Sequence, residues 1–324
     1  GLKGQYILTG SARPQEDSIM HTGTGRITKL LMRPMSLYES LESNGSVSLN
    51  DIINGNDISG VSKIDFDGLI NAMIRGGWPE SLNIDGENKY KISKDYVQSL
   101  LAEEIKTVDG TERNTSKMRA VLKSISRNIS TNVSKSTILE DVKTEFASEV
   151  SRPTLDDYLN ALEKLYILEY IPATNLNLRS KTPLRVSPKL ELVDPSLVIA
   201  TLNLKREDLI NDLNFTGFIF ENMCMRDLKI YADAIDARLS YYRDKNNFEV
   251  DCILETADGK WGAIEIKLGA GEIPDAVSNL TKFKENVDTD KYKEPSFLMV
   301  LTGADYSYKR DDGIYVVSIG TLKD

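Results

Sequence analysis

The chain has 324 residues, 40% hydrophobic and 27% charged, with a formal net charge of −9. That length predicts two or three domains rather than one. The absence of any apolar run of about 18 residues excludes a membrane span, and the net negative charge argues against indiscriminate nucleic-acid binding. No signal-peptide pattern opens the chain, so a cytoplasmic location is expected. Gly1 is not an initiator methionine, and the chain reads as part of something longer. His21 is the only histidine, which excludes histidine-rich zinc sites. Cys224 and Cys252 lie in apolar runs and read as buried reduced thiols.

In chain order, Gln5–Ser11 and Ile27–Arg33 read as short strands around a glycine-rich loop, and Leu37–Leu41 as a helix start. Asp65–Met73 reads as a helix closed by Gly76-Gly77-Trp78-Pro79. Tyr90–Ile105, Lys117–Ile129 and Ser136–Val142 follow as helices, the first two with apolar residues at helical spacing. Pro153 sits near the first turn of a strongly periodic helix carrying Leu155, Tyr158, Leu159, Leu162 and Leu165. Ile167–Ile171 and Lys189–Val193 are β-like and bracket a loop with Arg179, Lys181 and Arg185. Three helices followed by a hairpin with a basic tip outline a winged helix, with those three residues as nucleic-acid contacts. A plain helical linker with a solvated hairpin is the other reading. From Arg113 to Lys189 there are thirteen basic residues against eight acidic, so this stretch runs against the charge of the whole.

After Ser196 come a helix from Phe218 to about Tyr231, strands at Arg238–Arg243, Phe248–Glu255 and Trp261–Leu268, a helix at Ile273–Phe283, and strands at Ser296–Leu301 and Gly313–Ser318. That order is an α/β sandwich. Asp251 lies in the apolar strand Val250-Asp251-Cys252-Ile253-Leu254, and Glu265 is flanked by Ile264 and Ile266. Side chains alternate along a strand, so Glu265 and Lys267 share one face, roughly 6.6 Å apart at the α-carbons. Carboxylates set among apolar residues need a partner or a cation. Asp251 and Glu265 could therefore hold Mg²⁺, Lys267 could stabilise phosphate charge or position water, and Glu221 on the preceding helix could support the site. A degenerate fold without activity and a surface ion-pair ladder remain open as alternatives.

These stretches carry a family resemblance: Gln5–Ala12, Gly25-Arg26 through Pro34–Ser40, Gly76–Glu80, Lys189–Pro195, Phe220-Glu221-Asn222, Glu249-Val250-Asp251 and Glu265-Ile266-Lys267. Over essentially its whole length the chain resembles the C-terminal part of a prokaryotic AAA+ ATPase family, whose last domain, of unknown function, is of the PD-(D/E)XK nuclease-like kind. The resemblance implies an α/β multidomain protein. Its parts are an AAA+ remnant with lid (1–85), a helical, winged-helix-like domain (86–196) and a restriction-endonuclease-like α/β sandwich (197–324). It implies that Thr9 and Ser11 match a sensor strand and Arg26 an arginine finger or sensor. It also implies that Asp251, Glu265 and Lys267 occupy the nuclease motif, with Glu221 as the helical acid. No Gly-x4-Gly-Lys-[Ser/Thr] run is present, so ATP is expected to belong to a longer parent and not to this chain. The expected partner is DNA, with another protein or self-association as further options.

Overall fold

The computed structural model describes residues 5–10, 27–84, 88, 90–105, 108–146, 150–174, 187–289 and 292–324. The protein is an α/β multidomain molecule, with ten α-helices and a mixed seven-stranded sheet among the described residues. Chain order begins with β1 (Val47–Ser48), α1 (Leu49–Ile53) and β2 (Ser59–Val61). α2 (Phe66–Arg75) starts where the Asp65 carboxylate accepts from Gly68 N. It stops at Gly76, whose φ of +73° is a conformation that glycine alone adopts without strain.

A helical unit follows. α3 (Lys91–Ser99), α4 (Thr115–Arg127), α5 (Lys135–Phe146) and α6 (Arg152–Lys164) lead into the antiparallel pair β3 (Leu168–Ile171) and β4 (Lys189–Leu192). The last three of these helices and the strand pair come in the order that the sequence predicts for this stretch. α7 (Pro195–Leu202), apolar on nearly every side, runs through the middle of this unit with Leu197, Val198 and Ile199 buried against α2, α3 and α4.

After the short α8 (Arg206–Asn211), the C-terminal unit comprises α9 (Leu213–Ala234), β5 (Ala237–Arg243), β6 (Glu249–Thr256), β7 (Trp261–Lys267), α10 (Ile273–Asn286), β8 (Phe297–Thr302), β9 (Tyr306–Lys309), β10 (Tyr315–Ser318) and β11 (Leu322–Lys323). Its sheet has the order β2-β9-β10-β8-β7-β6-β5. β8 runs parallel to both β7 and β10, and the other neighbours are antiparallel. Strand alternation feeds two cores. Ile264, Ile266, Met299 and Leu301 meet Phe220, Met223 and Cys224 of α9, while Ala263 and Val300 pack under Ala276, Leu280 and Phe283 of α10. The first core continues without a break into the helical unit.

The structure departs from the sequence expectation in places where a strand needs a neighbour. Residues 5–10 and 27–33 have no regular structure; Tyr6, Ile7, Leu8, Leu30 and Met32 are exposed and no ladder partner lies beside them among the described residues. An isolated strand leaves its amides and carbonyls to water, so apolar alternation alone does not make one. Leu37–Leu41 forms a single turn, not a helix. Conversely, β2 and β9 extend the sheet through the register Ser59↔Tyr308, and β1 pairs with β11, although their short mixed sequences gave no signal.

The two units are joined by buried charge. Arg226 on α9 donates to Asp194 Oδ2 (2.9 Å) and to Asp227 Oδ1 (2.8 Å from Nε), with both carboxylates inaccessible to solvent. Asp194 caps α7 by accepting from Ser196 N, and it also accepts from Gly77 N (2.8 Å); Asp227 accepts from Leu37 N (2.9 Å). Gly77 has to be glycine, since a Cβ there would lie 2.3 Å from the Met35 carbonyl oxygen. Replacing Arg226 by methionine strands two buried carboxylates and is expected to cost about 3–5 kcal/mol of unfolding free energy, read from urea melts. A loss below about 1 kcal/mol would show that the junction does not rest on this pair of contacts.

Candidate active site

The site forms where two strands part. β6 and β7 are paired from Glu255↔Trp261 to Cys252↔Ile264, and the ladder ends there. On its other edge β6 meets β5 through a register shift between Ser240 and Tyr242. Beyond the ladder the Asp251 side chain takes over from the backbone, and Asp251 Oδ2 accepts from Ile266 N at 2.8 Å. Glu265 and Lys267 share a face as alternation requires, with Lys267 Nζ 3.0 Å from Glu265 Oε2 and 3.5 Å from Asp251 Oδ2. Asn279 of α10 donates to Glu265 Oε1 (2.6 Å) and to the Glu249 carbonyl (2.9 Å), which fixes the glutamate beneath the helix.

A second group of charges adjoins the first. Lys189, the first residue of β4, reaches Glu249 Oε1 at 2.5 Å and Glu221 Oε1 at 3.3 Å, and its ammonium lies 5.3 Å from the centre of the Tyr241 ring. Arg243 holds the other oxygen of Glu249 at 3.1 Å. Two residues further along β4, Glu191 Oε2 accepts from Asn222 Nδ2 (2.6 Å) and from Ser130 Oγ (3.3 Å), while its Oε1 has no hydrogen-bond partner among the described residues.

The balance of charge is tilted towards acid. Burial, and then the neighbouring Asp251 charge, push the Glu265 carboxyl up to about 7, although Lys267 and Asn279 pull the other way. Burial raises Glu221 well above the ordinary glutamate range, with Lys189 opposing and Asp251 and Glu191 reinforcing. Burial also disfavours the charged forms of Lys189 and Lys267. It is outweighed in Lys189 by Glu221, Asp251 and Glu249, and in Lys267 by Asp251 and Glu265, so both stay firmly protonated. Four carboxyls thus face two ammonium groups and the Arg243 guanidinium, and the remaining surplus is relieved either by protons or by a divalent cation. Among the described residues no three histidine, cysteine or carboxylate side chains form a closed metal cage. Mg²⁺ usually takes only one or two protein carboxylates and keeps water for the rest, which the Asp251–Glu265 pair fits.

Of the residues singled out from the sequence, Asp251, Glu265 and Lys267 come together directly, whereas Glu221 pairs with Lys189 and acts on Asp251 and Lys267 only through its charge. Thr9 is exposed in an irregular segment. Ser11, Arg26, Arg179, Lys181 and Arg185 lie outside the described residues. α6, the last helix before the hairpin, carries Asp156, Asp157 and Glu163 against Arg152 and Lys164. Asp156 is paired with Lys135 and Asp157 with Arg113, so its own sequence does not supply the basic face that phosphate attraction needs. Sequence reasoning missed Lys189, Glu249 and Asn279. Lys189 sits in an alternating Lys-Leu-Glu-Leu run that reads as a half-solvated strand, whereas all four positions are buried.

Two stretches of the chain match known families, both domains of unknown function: residues 67–208 match DUF8612 and residues 216–322 match DUF4143. No curated protein matches the chain. The site therefore draws on both matched stretches, with Lys189 from the first and Glu221, Glu249, Asp251, Glu265 and Lys267 from the second.

Glu191 gives the acid surplus a measurable consequence. It is fully buried and its carboxyl is raised by burial above the ordinary value of 4.5. Between that value and its raised native one, the folded protein binds more protons than the unfolded chain, so stability falls as pH rises through the window and levels off above it. Glu191→Gln keeps the shape without the charge. Urea melts from about pH 5 to 8 are expected to show a shallower fall in this variant and a gain on the order of 1 kcal/mol at the alkaline end. Parallel curves for the two proteins would mean that Glu191 is ionised in the native state.

Proposed function

We propose that the chain carries a Mg²⁺-dependent phosphodiesterase site acting on DNA, as part of a longer AAA+ ATPase. The observation that carries this reading is the convergence of Asp251 and Glu265 on one ammonium, Lys267, where β6 and β7 separate. The helix, three-strand meander, helix and parallel strand that build this cleft follow the order of the nuclease-like fold that the sequence resembles. DUF4143 is in general associated with AAA ATPases, which supports a parent that turns over ATP.

Asp251 and Glu265 would hold the cation, which when bound polarises the phosphate and lowers the pKa of an attacking water. The chain's own groups do the rest. Asn279 fixes the orientation of Glu265, and the Ile266 amide fixes that of Asp251. Lys267, the most accessible of the three with about a quarter of its side chain exposed, faces outward to stabilise charge on a phosphate oxygen or to hold the attacking water. DNA is the proposed substrate because the stretch from Arg113 to Lys189 carries a basic surplus within an acidic chain, a surplus that persists when the buried, ion-paired Arg113 and Lys189 are left out.

One observation favours a second, non-enzymatic reading, in which the fold is a scaffold for DNA or protein contacts governed by ATP turnover in the parent: the buried Lys189 already compensates half of the acidic cluster. Plasmid nicking with Mg²⁺ or Mn²⁺ separates the two. The phosphodiesterase reading expects cleavage that drops by about 100-fold or more in Glu265→Ala and in Lys267→Ala. Cleavage that survives both substitutions rules out this mechanism, and a wild-type chain that never nicks leaves the scaffold.

A further inference from the structure

The charges around the cleft divide into two sets, each organised by one lysine. Lys267 serves Asp251 and Glu265 at the mouth, whereas Lys189 serves Glu221 and Glu249 behind it. The sets differ in freedom. The Lys267 side chain keeps 26% of its surface exposed, and that of Lys189 keeps 3%. A strand that cannot shift on its own holds Lys189 in place. β4 pairs with β3, and the chain leaving β3 is tied to the sheet edge by Tyr241 N donating to the Pro172 carbonyl (3.0 Å) and by Thr174 N donating to the Tyr241 carbonyl (2.7 Å). The Tyr241 hydroxyl donates to the Ser187 carbonyl and accepts from Asn132 Nδ2 (2.7 Å), so both arms of the hairpin and the helical unit are fastened to one residue, one arm by its backbone and the rest by its side chain.

We infer that Lys189 is a positioning residue that stands as a fixed internal cation behind the cleft, committing Glu221 and Glu249 so that the site takes one divalent cation, at Asp251 and Glu265, and not two. The inference rests on the phosphodiesterase reading. Its physical basis is simple: a helical carboxylate beside a pair of strand carboxylates offers room for a second ion, and an ammonium already hydrogen-bonded there excludes one by occupancy and by like charge. The exclusion is imposed by the helical unit on a site that belongs otherwise to the C-terminal unit.

Mn²⁺ binding to the full chain, counted by calorimetry and by electron paramagnetic resonance of the free ion, tests this without any measure of activity. The expected stoichiometry is one Mn²⁺ for the wild type and for Lys189→Arg, and two for Lys189→Met. Since Lys189→Met leaves the buried Glu221 unpaired and can unfold, Glu221→Gln supplies the second arm: its Mn²⁺ dissociation constant is expected to stay within about threefold of wild type. Two ions in the wild type, a single ion in a folded Lys189→Met, or a tenfold weaker Mn²⁺ affinity in Glu221→Gln would each overturn the inference while leaving the metal site standing. No Mn²⁺ binding by the wild type overturns the metal site, and the inference with it.

Discussion

The arrangement depends on one buried guanidinium. Arg226 lies between Asp194 and Asp227 with none of the three open to solvent, and each carboxylate also takes a backbone amide from a different part of the chain. Such a network gains its worth from completeness, because removing any member leaves a charge that the interior cannot solvate. Its position sets the register of everything near the cleft. Asn222 lies one helical turn before Arg226 and donates to the Leu192 carbonyl (2.8 Å) and to Glu191, so α9 is zipped along β4 and the start of α7. Once that zipper is closed, Glu221 has little choice but to face Lys189.

The cleft differs in how its oxygens are used. At the junction, two carboxylates share one guanidinium and burial raises the Asp227 carboxyl, but almost every oxygen accepts a hydrogen bond. At the cleft, acids outnumber lysines and two of the carboxyls rise towards neutrality as a result. Raised carboxyls are tolerated in a fold only when something else makes the crowding worthwhile or holds it in place. Here the Asn279 side chain, the Ile266 amide and the two lysines hold it, and α10 caps it from above. Oε1 of Glu191 and Oδ1 of Asn222, without hydrogen-bond partners among the described residues, lie at the back of the same cluster, where a neutral carboxyl costs far less than a charged one.

Much of this was legible in the sequence, and what was not has a common cause. Helical periodicity located α3, α4 and α6, the glycine stop at Gly76 closed α2, and the alternation around Asp251 and Glu265 located the cleft and the face that Lys267 shares. Local pattern carries that information because each strand or helix repeats its own geometry. Lys189 and Asn279 were invisible because their roles arise between elements distant in sequence, and nothing in Lys-Leu-Glu-Leu or in a surface helix announces a partner elsewhere. The strands read at 5–10 and 27–33 show the reverse failure: the apolar pattern is there, but a strand is defined by its neighbour, and none lies beside them among the described residues. β2 and β9 escaped notice for the same reason, being strands by virtue of pairing alone.

The fastening of Lys189 has a consequence for the two units as mechanical bodies. The acids of the cleft belong to the stretch matching DUF4143, and the ammonium that stabilises half of them belongs to the stretch matching DUF8612. Any motion that draws the β3–β4 hairpin away from Tyr241 also withdraws a positive charge from Glu221 and Glu249. At the short distances involved and in a poorly solvated interior, that loss is worth more than any one surface contact. Packing between the units and the ionisation of the cleft are therefore one equilibrium. A shift in either must appear in the other with the same free energy, since linkage between two sites is reciprocal.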